Sequence, residues 1–293
     1  MFEEFKYAFQ RPNNGHLQLI LINVVLFILL AIVLVVTTIA GFENIFSLIY
    51  TQFSLPPSIT DFARRPWTLL TYGFTHSLTD IWHIIFNMIS LYWFGKLFIE
   101  YLGNDRLIAL YVLGALAGGI VYLSLYNTVP YFMARANSAG MVGASGAIFA
   151  VMVGCATLLP NYTFYLMFFG PVRIKYIALI FIVVSFIGTV SANAGGNLAH
   201  LGGAAIGYIY VRQLQKGINL GNWVTWILDK IKSIRFRRVK MKVNRGQSNP
   251  GNNSFPGQSI SQKEIDAILD KISAGGYDSL TREEKEKLFR AGK

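Results

Sequence analysis

The chain has 293 residues, 53% of them hydrophobic and only 14% charged, with a formal net charge of +11. A soluble domain carries about 25% charged residues, and here the deficit is uneven. His16 to Gln215 holds 8 Lys/Arg and 5 Asp/Glu, whereas Lys216 to Lys293 holds 16 and 8. That distribution excludes a single soluble globule, a disordered chain and a secreted disulfide scaffold. The one cysteine, Cys155, can close no intrachain bridge.

Six apolar stretches follow along the chain: Leu17–Ala40, Ile81–Phe98, Leu107–Tyr126, Met141–Leu159, Tyr176–Val190 and Leu198–Val211. A span needs about 20 apolar residues, with a lower limit near 17. The first four suffice on length; the last two need their flanks or shelter inside a bundle. The pattern predicts an all-α polytopic membrane protein with six transmembrane helices over residues 1–215. The first stretch is too long for a signal peptide and has no small-residue cleavage site. Its lack of glycine predicts a lipid-facing helix.

Lys/Arg placement sets the expected orientation. With both termini cytoplasmic, the inner side collects Lys6, Arg11, Lys96, Arg106, Arg173, Lys175 and the basic tail. The outer side holds only Arg64, Arg65 and Arg135. The expected setting is a bacterial cytoplasmic membrane. Between Gly41 and Asp80 lies a 40-residue outer segment with Pro56, Pro57 and Pro66. It is long for a connection, so it is expected to be functional or partly folded into the membrane surface. Tyr131–Gly140 forms a second outer loop. Gly114-x3-Gly118 and Gly203-x3-Gly207 have the spacing that lets helix backbones approach closely.

The tail reads in three parts. Residues 216–245 form a basic juxtamembrane segment, in which Trp223 and Trp226 lead into Lys230–Arg245. Its position just past the last apolar run points to an anionic lipid leaflet as partner rather than nucleic acid. Residues 246–260 are rich in Gly, Ser, Asn and Pro and read as a flexible linker. Residues 261–293 read as a small soluble helical hairpin. Ser261-x-x-Glu264 and Thr281-x-x-Glu284 are capping boxes, Ile265, Ile268, Leu269 and Ile272 share a helical face, and Gly275-Gly276 separates the helices.

Strongly polar residues inside a span are costly and are functional candidates by default. Those that stand out are His83 and Asn87 in the second span, Ser145 in the fourth and His200 in the sixth, beside Glu100 at the inner end of the second, which reads as structural. These three spans run in the same direction. At 1.5 Å rise per residue, all four groups fall within about 3–10 Å of the outer ends of their helices. A shared, water-accessible pocket near the outer face accounts for the common depth.

Ser145 stands in Gly143-Ala144-Ser145-Gly146, where small flanks leave room for a substrate backbone. Amides in the first turn of a helix lack intrahelical acceptors and can point at an anion. A serine is a weak nucleophile until a base takes its proton, and a histidine suits that role near neutral pH. The glycine-lined helix of His200 can bring its imidazole to the Ser145 hydroxyl. No acidic residue is placed to orient His200, so Phe149, one turn beyond Ser145, is the candidate for orienting it by packing. His83 and Asn87, one turn apart, can aim N–H groups at an oxyanion.

Each residue also has a structural reading. A serine in a transmembrane helix usually bonds its own i−4 carbonyl, an asparagine is often helix–helix glue, and a histidine can be a structural hydrogen-bonding group. Asp80 reads as a helix cap, and Cys155 as packing. A zinc site would draw on His76, His83 and His200, but there is no His-Glu-x-x-His and no accompanying carboxylate. No metal and no cofactor are expected.

These residues resemble the rhomboid family of intramembrane serine proteases over about residues 60–212. The match includes Pro66-Trp67-Thr68-Leu69-Leu70-Thr71-Tyr72, His83-Ile84-Ile85-Phe86-Asn87-Met88, Phe94-Gly95 and Glu100. It continues through Gly143-Ala144-Ser145-Gly146 and Ala199-His200-Leu201-Gly202-Gly203. The resemblance implies a six-helix rhomboid-like bundle with Ser145 as nucleophile and His200 as general base. His83, Asn87 and the Ser145 amide would hold the oxyanion. The implied substrates are single-pass, membrane-anchored proteins cut near the outer end of their transmembrane segment.

Two positions depart from the family pattern. Thr68 follows Trp67 where the family commonly has Arg, with Arg64 and Arg65 nearby. Leu78 stands where the family often has a histidine five residues before His83, while His76 lies seven before it. A reading of another class is a rhomboid-like pseudoprotease that binds transmembrane helices without cutting. Such proteins lack the dyad, and here both Ser145 and His200 are present. A transporter would need a polar path through the inner half of the spans, where almost none exists.

Overall fold

A computed structural model describes residues 13–136, 140–166, 170–235 and 262–291. They fall into two compact units, Met1–Arg238 and Val239–Lys293.

The first unit is mostly helical. Its helices are α1 (Gly15–Ile39), α2 (Glu43–Thr51), α3 (Ile59–Arg64), α4 (Thr68–Thr71), α5 (Ile81–Leu102), α6 (Asn104–Thr128) and α7 (Pro130–Met133). There follow α8 (Ser145–Leu158), α9 (Ile174–Gly188), α10 (Ala194–Gln215) and α11 (Asn222–Arg235). Helices α1, α5, α6, α8, α9 and α10 fall on the six apolar stretches. By length and composition, α1 and α6 are able to cross a membrane, while α8 and α9 are apolar but shorter.

The fourth stretch differs from its expected length. Met141 is extended, pairing with Leu55 through two backbone hydrogen bonds of 2.9 Å, so helix begins only at Ser145. Its 14 residues reach about 21 Å, short of a hydrocarbon core of about 30 Å. Burial compensates: every residue from Gly146 to Cys155 is buried, so α8 sits inside the bundle and meets other helices rather than lipid.

Glycine seams make that burial possible. On α6, a Cβ at Gly114 would lie 2.6 Å from the Ala150 Cβ, and one at Gly118 would lie 2.9 Å from the Ala199 carbonyl oxygen. On α10, a Cβ at Gly203 would overlap the Gly146 carbonyl, and one at Gly207 the Ala150 carbonyl. The two small-residue motifs therefore bring α6 against α8 at Gly114 and against α10 at Gly118, and α10 against α8 at Gly203 and Gly207.

The outer layer has the opposite character. In α1 only Gly15, His16, Leu19, Asn23 and Leu30 are buried, and in α9 only Ile174, Ala178 and Ser185. Their remaining faces expose large apolar side chains, among them Ile28, Val35, Ile180, Val184 and Phe186. An apolar surface of that extent is what a bilayer covers, and this is a membrane protein.

One expectation needs correction. The fold is not purely α, because β1 (Thr163–Leu166) and β2 (Gly170–Arg173) form an antiparallel pair between α8 and α9. Gly170 takes φ +66°, which a residue with a Cβ resists. The strands are four residues each and contain Pro171, too short to set up a period-2 pattern. Phe164 of β1 meets Phe94 of α5 edge-on, with ring centroids 5.5 Å apart.

Residues 41–80 are folded rather than loose. Arg65 donates to the Thr51 carbonyl (2.6 Å) at the end of α2, and the Trp67 indole N–H donates to the Gln52 carbonyl (3.0 Å). Thr71 adds a bond to the Phe53 carbonyl (3.3 Å). Arg65, two residues before Trp67, thus supplies an anchor although Thr68 follows the tryptophan. The segment is held to the bundle by the Tyr72 hydroxyl on the Ala115 carbonyl (2.6 Å) and by Asn127 on the Pro57 carbonyl (2.9 Å). Tyr111 of α6 donates to the Gly73 carbonyl (2.7 Å) and accepts from Asn23 of α1 (3.2 Å), tying three parts together.

Helix α11 carries exposed Trp223 and Trp226, and Lys230 lies 4.0 Å from the Trp226 ring centroid. The basic residues beyond Arg235, the linker at 246–260, Lys6, Arg11 and the capping residue Ser261 lie outside the described residues.

The second unit contains α12 (Gln262–Gly275) and α13 (Arg282–Ala291), joined by a short 3-10 turn at Tyr277–Ser279. Gly276 takes φ +74° at the end of α12. The Thr281 capping box is formed: the Thr281 amide donates to Glu284 (2.8 Å), and the Glu284 amide donates back to the Thr281 hydroxyl (3.4 Å). Ile268 and Leu280 are buried, whereas Leu269 is half-exposed, and Lys271 pairs with Glu284 at 2.9 Å.

Candidate active site

Gly143 prepares the position of Ser145. Its φ of +136° is accessible to glycine, and its amide donates to the Tyr72 carbonyl (3.0 Å). A Cβ there would lie 3.0 Å from His83 Nε2 and 3.5 Å from Ser145 Oγ. The turn therefore passes close against the His83 imidazole and starts α8 with Ser145 as its first residue. That places Ser145 at the helix terminus rather than a few residues inside. His200 is correspondingly deeper, because α10 starts at Ala194 and not at Leu198.

The structure brings Ser145, His200 and His83 together. His200 Nε2 lies 2.7 Å from Ser145 Oγ. The His200 ring stacks on Phe149 with centroids 4.2 Å apart and planes at 8°. Phe149 in turn meets Phe181 of α9 edge-on at 6.1 Å. A cavity of about 460 Å³ opens onto His83, Tyr122, Tyr126, Ser145, Asn193 and His200.

Asn87 is placed differently from the other three. It is buried, donates to the His83 carbonyl one turn earlier (2.7 Å), and is not among the residues lining that cavity. Asp80 caps α5, accepting from the Trp82 amide (3.1 Å). His76 is fully buried and meets His83 edge-on at 5.2 Å. Among the described residues no three His, Cys, Asp or Glu side chains gather into a metal-binding group. Cys155 is buried and contacts the Phe94 carbonyl at 3.4 Å.

One contact was not anticipated from sequence. His200 Nδ1 lies 3.0 Å from the hydroxyl of Ser185 on α9. The available signal was that Ser185 is the only polar residue from Ile177 to Gly188, but an isolated serine in an apolar run is ordinarily satisfied within its own helix.

A serine hydroxyl against an imidazole, at a helix N-terminus in a cavity of a helical membrane protein, has the groups that nucleophilic chemistry requires. The comparisons give the lineage: residues 63–216, just over half of the chain, match the Rhomboid domain, and the chain belongs to the rhomboid family. RHOMBOID-like protein 12, mitochondrial, of Arabidopsis thaliana is 35% identical over 166 residues, covering 52% of this chain and 48% of that protein. Rhomboid protein 1, mitochondrial, of Saccharomyces cerevisiae is 30% identical over 168 residues, covering 54% and 44%. Rhomboid-like protein 16, chloroplastic, of Arabidopsis thaliana is 30% identical over 165 residues, covering 52% and 50%. The chain thus spans about half the length of the curated relatives it matches. Residues 257–291 match a family of unknown function (DUF6576).

Proposed function

We propose that this chain is an intramembrane serine endopeptidase that cuts single-pass membrane proteins near the outer end of a transmembrane segment. The observation that carries the reading is the 2.7 Å approach of His200 Nε2 to Ser145 Oγ. The topology proposed with it has six spans, with both termini and the basic tail on the cytoplasmic side by the positive-inside rule. The relatives named above carry mitochondrial and chloroplastic names rather than bacterial ones. The proposed organisation is a membrane domain over 1–215, a basic segment over 216–245 facing anionic lipid, a linker over 246–260 and a hairpin over 261–293.

In the proposed mechanism a substrate helix unwinds at the outer side, and its extended backbone enters between α5 and α9. The short, lipid-exposed α9 acts as the gate. His200 Nε2 takes the proton of Ser145 Oγ as the oxygen attacks the scissile carbonyl. The tetrahedral oxyanion meets the Ser145 amide in the first turn of α8 and the His83 imidazole. Asn87 joins them only if its side chain turns from the His83 carbonyl toward the cavity. His200 returns the proton to the leaving amine, the acyl-enzyme forms, and water activated by His200 hydrolyses it to free carboxylate and serine.

The test is cleavage of a model transmembrane substrate in detergent by the wild type and by Ser145→Ala, with covalent labelling of Ser145 by a fluorophosphonate probe. The expected result is cleavage and labelling by the wild type and neither by the variant. A correctly folded wild type that binds transmembrane helices but neither cuts nor labels would instead make the chain a pseudoprotease.

A further inference from the structure

We propose that Ser185 is a positioning residue that holds the in-plane rotation of His200 by accepting a hydrogen bond from Nδ1–H, so that the base is aligned by the gate helix. The inference rests on the protease reading for its kinetic consequence, but its structural content stands on the ring geometry alone.

Stacking on Phe149 at 4.2 Å and 8° holds the plane of the imidazole. It does little to fix rotation within that plane, because a ring sliding over another keeps its contact while its nitrogens exchange places. Nor does it decide which nitrogen carries the proton. A hydrogen bond at one ring nitrogen fixes the rotation, and a hydroxyl there, able to accept or to donate, can accept from the tautomer that catalysis needs. Ser185 supplies that bond at 3.0 Å from Nδ1, on the side of the ring opposite the 2.7 Å contact with Ser145.

For Ser145 to give up its proton, Nε2 must be the acceptor. Nδ1 then carries the hydrogen and Ser185 Oγ accepts it. The reverse arrangement, with Ser185 donating to Nδ1, would protonate Nε2 and leave Ser145 without a base.

Placement argues for a dedicated role. Ser185 is buried at 3% exposure on a helix whose only other buried residues are Ile174 and Ala178. Phe181, one turn before it, lies edge-on to the Phe149 ring that stacks on His200. Residues 181 and 185 of α9 therefore reach the base together, one through the stacking partner and one directly. A helix that swings away to admit substrate removes the hydroxyl, and the base regains its orientation when the helix returns.

The experiment uses the full chain in detergent. Nitrogen-15 NMR of ring-labelled histidine, with His200 assigned by substitution, reports which nitrogen is protonated at neutral pH. The expected wild-type spectrum has a protonated Nδ1 and a bare Nε2 at His200; the opposite tautomer would overturn the proposal, whether or not the chain cleaves anything. Ser185→Ala is expected to shift that spectrum toward a tautomer mixture and to lower kcat about tenfold to a hundredfold with KM within twofold. Ser185→Thr, which keeps the hydroxyl, is expected to recover most of the loss. A Ser185→Ala protein with unchanged kcat and spectrum, or with a raised KM alone, would overturn the assignment. If Ser185→Ala does not fold, the wild-type spectrum decides. A wild type without activity would refute the protease reading and leave the spectral test standing.

Discussion

Gly203→Ala tests whether the backbone contact between α8 and α10 sets the Ser145–His200 distance. The added Cβ would overlap the Gly146 carbonyl oxygen and lie 2.8 Å from its carbon, whereas ordinary Cβ contacts begin near 3.4 Å. The helices must separate by at least about 0.6 Å to relieve the contact with carbon, and by more to clear the oxygen. Gly146 adjoins Ser145, and Gly203 is one turn beyond His200, so the displacement reaches the site nearly undiminished. An opening of about 1 Å would take the 2.7 Å contact past the 3.2 Å upper end of a good hydrogen bond. Misplacement of about 1 Å costs on the order of a hundredfold in rate, or about 2.7 kcal/mol of barrier. Overpacking should also cost roughly 1–3 kcal/mol of stability. The assay is single-turnover cleavage per folded molecule, with folding followed by thermal unfolding in detergent. Wild-type rates in a folded Gly203→Ala protein would refute the claim that this contact governs the site.

Other perturbations probe the supports. Tyr111→Phe removes the donor to the Gly73 carbonyl and the acceptor for Asn23; the expected loss is about 1–3 kcal/mol, read as a lower thermal midpoint. Arg65→Ala deprives the end of α2 of its anchor at Thr51 and should raise proteolytic nicking within 41–58, with Arg65→Lys intermediate; an unchanged digestion pattern would show that Trp67 alone suffices. In the second unit, hydrogen bonds from Lys271 and then from the Thr281 amide hold the Glu284 carboxyl down at about 2, against an ordinary value of 4.5. A folded-state value below the unfolded one gives support that is complete above about 4.5 and lost as pH falls through about 2. Amides at the start of α13 should exchange faster across that window, modestly because the pair is exposed, and Glu284→Gln should flatten the trend.

Much of the membrane domain was legible because apolar length and glycine spacing carry direct geometric meaning. Gly114 marks the contact of α6 with α8, Gly118 that of α6 with α10, and Gly203 and Gly207 that of α10 with α8, and Asp80 marks the start of α5. Phe149 was identifiable as the stacking partner of His200 because it lies one turn beyond Ser145 on a helix that must face it. The start of α8 is not legible locally because Met141 to Gly143 are as apolar and small as the helix that follows; what makes them extended is a long-range pairing with Leu55 and a hydrogen bond from the Gly143 amide to the Tyr72 carbonyl. Such partners lie 70 or more residues away and leave no local pattern. The β1–β2 pair escaped notice for want of length, and Ser185 because its partner is on another helix.

The same long-range contacts explain how polar groups can be held near a lipid phase at all. An isolated serine or histidine on a lipid-facing helix would have to satisfy its hydrogen bonds alone, at a cost of several kcal/mol if it failed. Here the polar groups occupy α8 and the inner faces of α5, α9 and α10, and α1 and the outer face of α9 present apolar side chains outward. Each ring nitrogen of His200 has a hydroxyl opposite it. The close backbone packing that permits this leaves no slack: a side chain added at Gly203 or Gly207 meets a carbonyl of α8 directly. Geometry at the site is thus a property of the seam between two helices, and a substitution that leaves every polar side chain in place can still separate hydroxyl from imidazole.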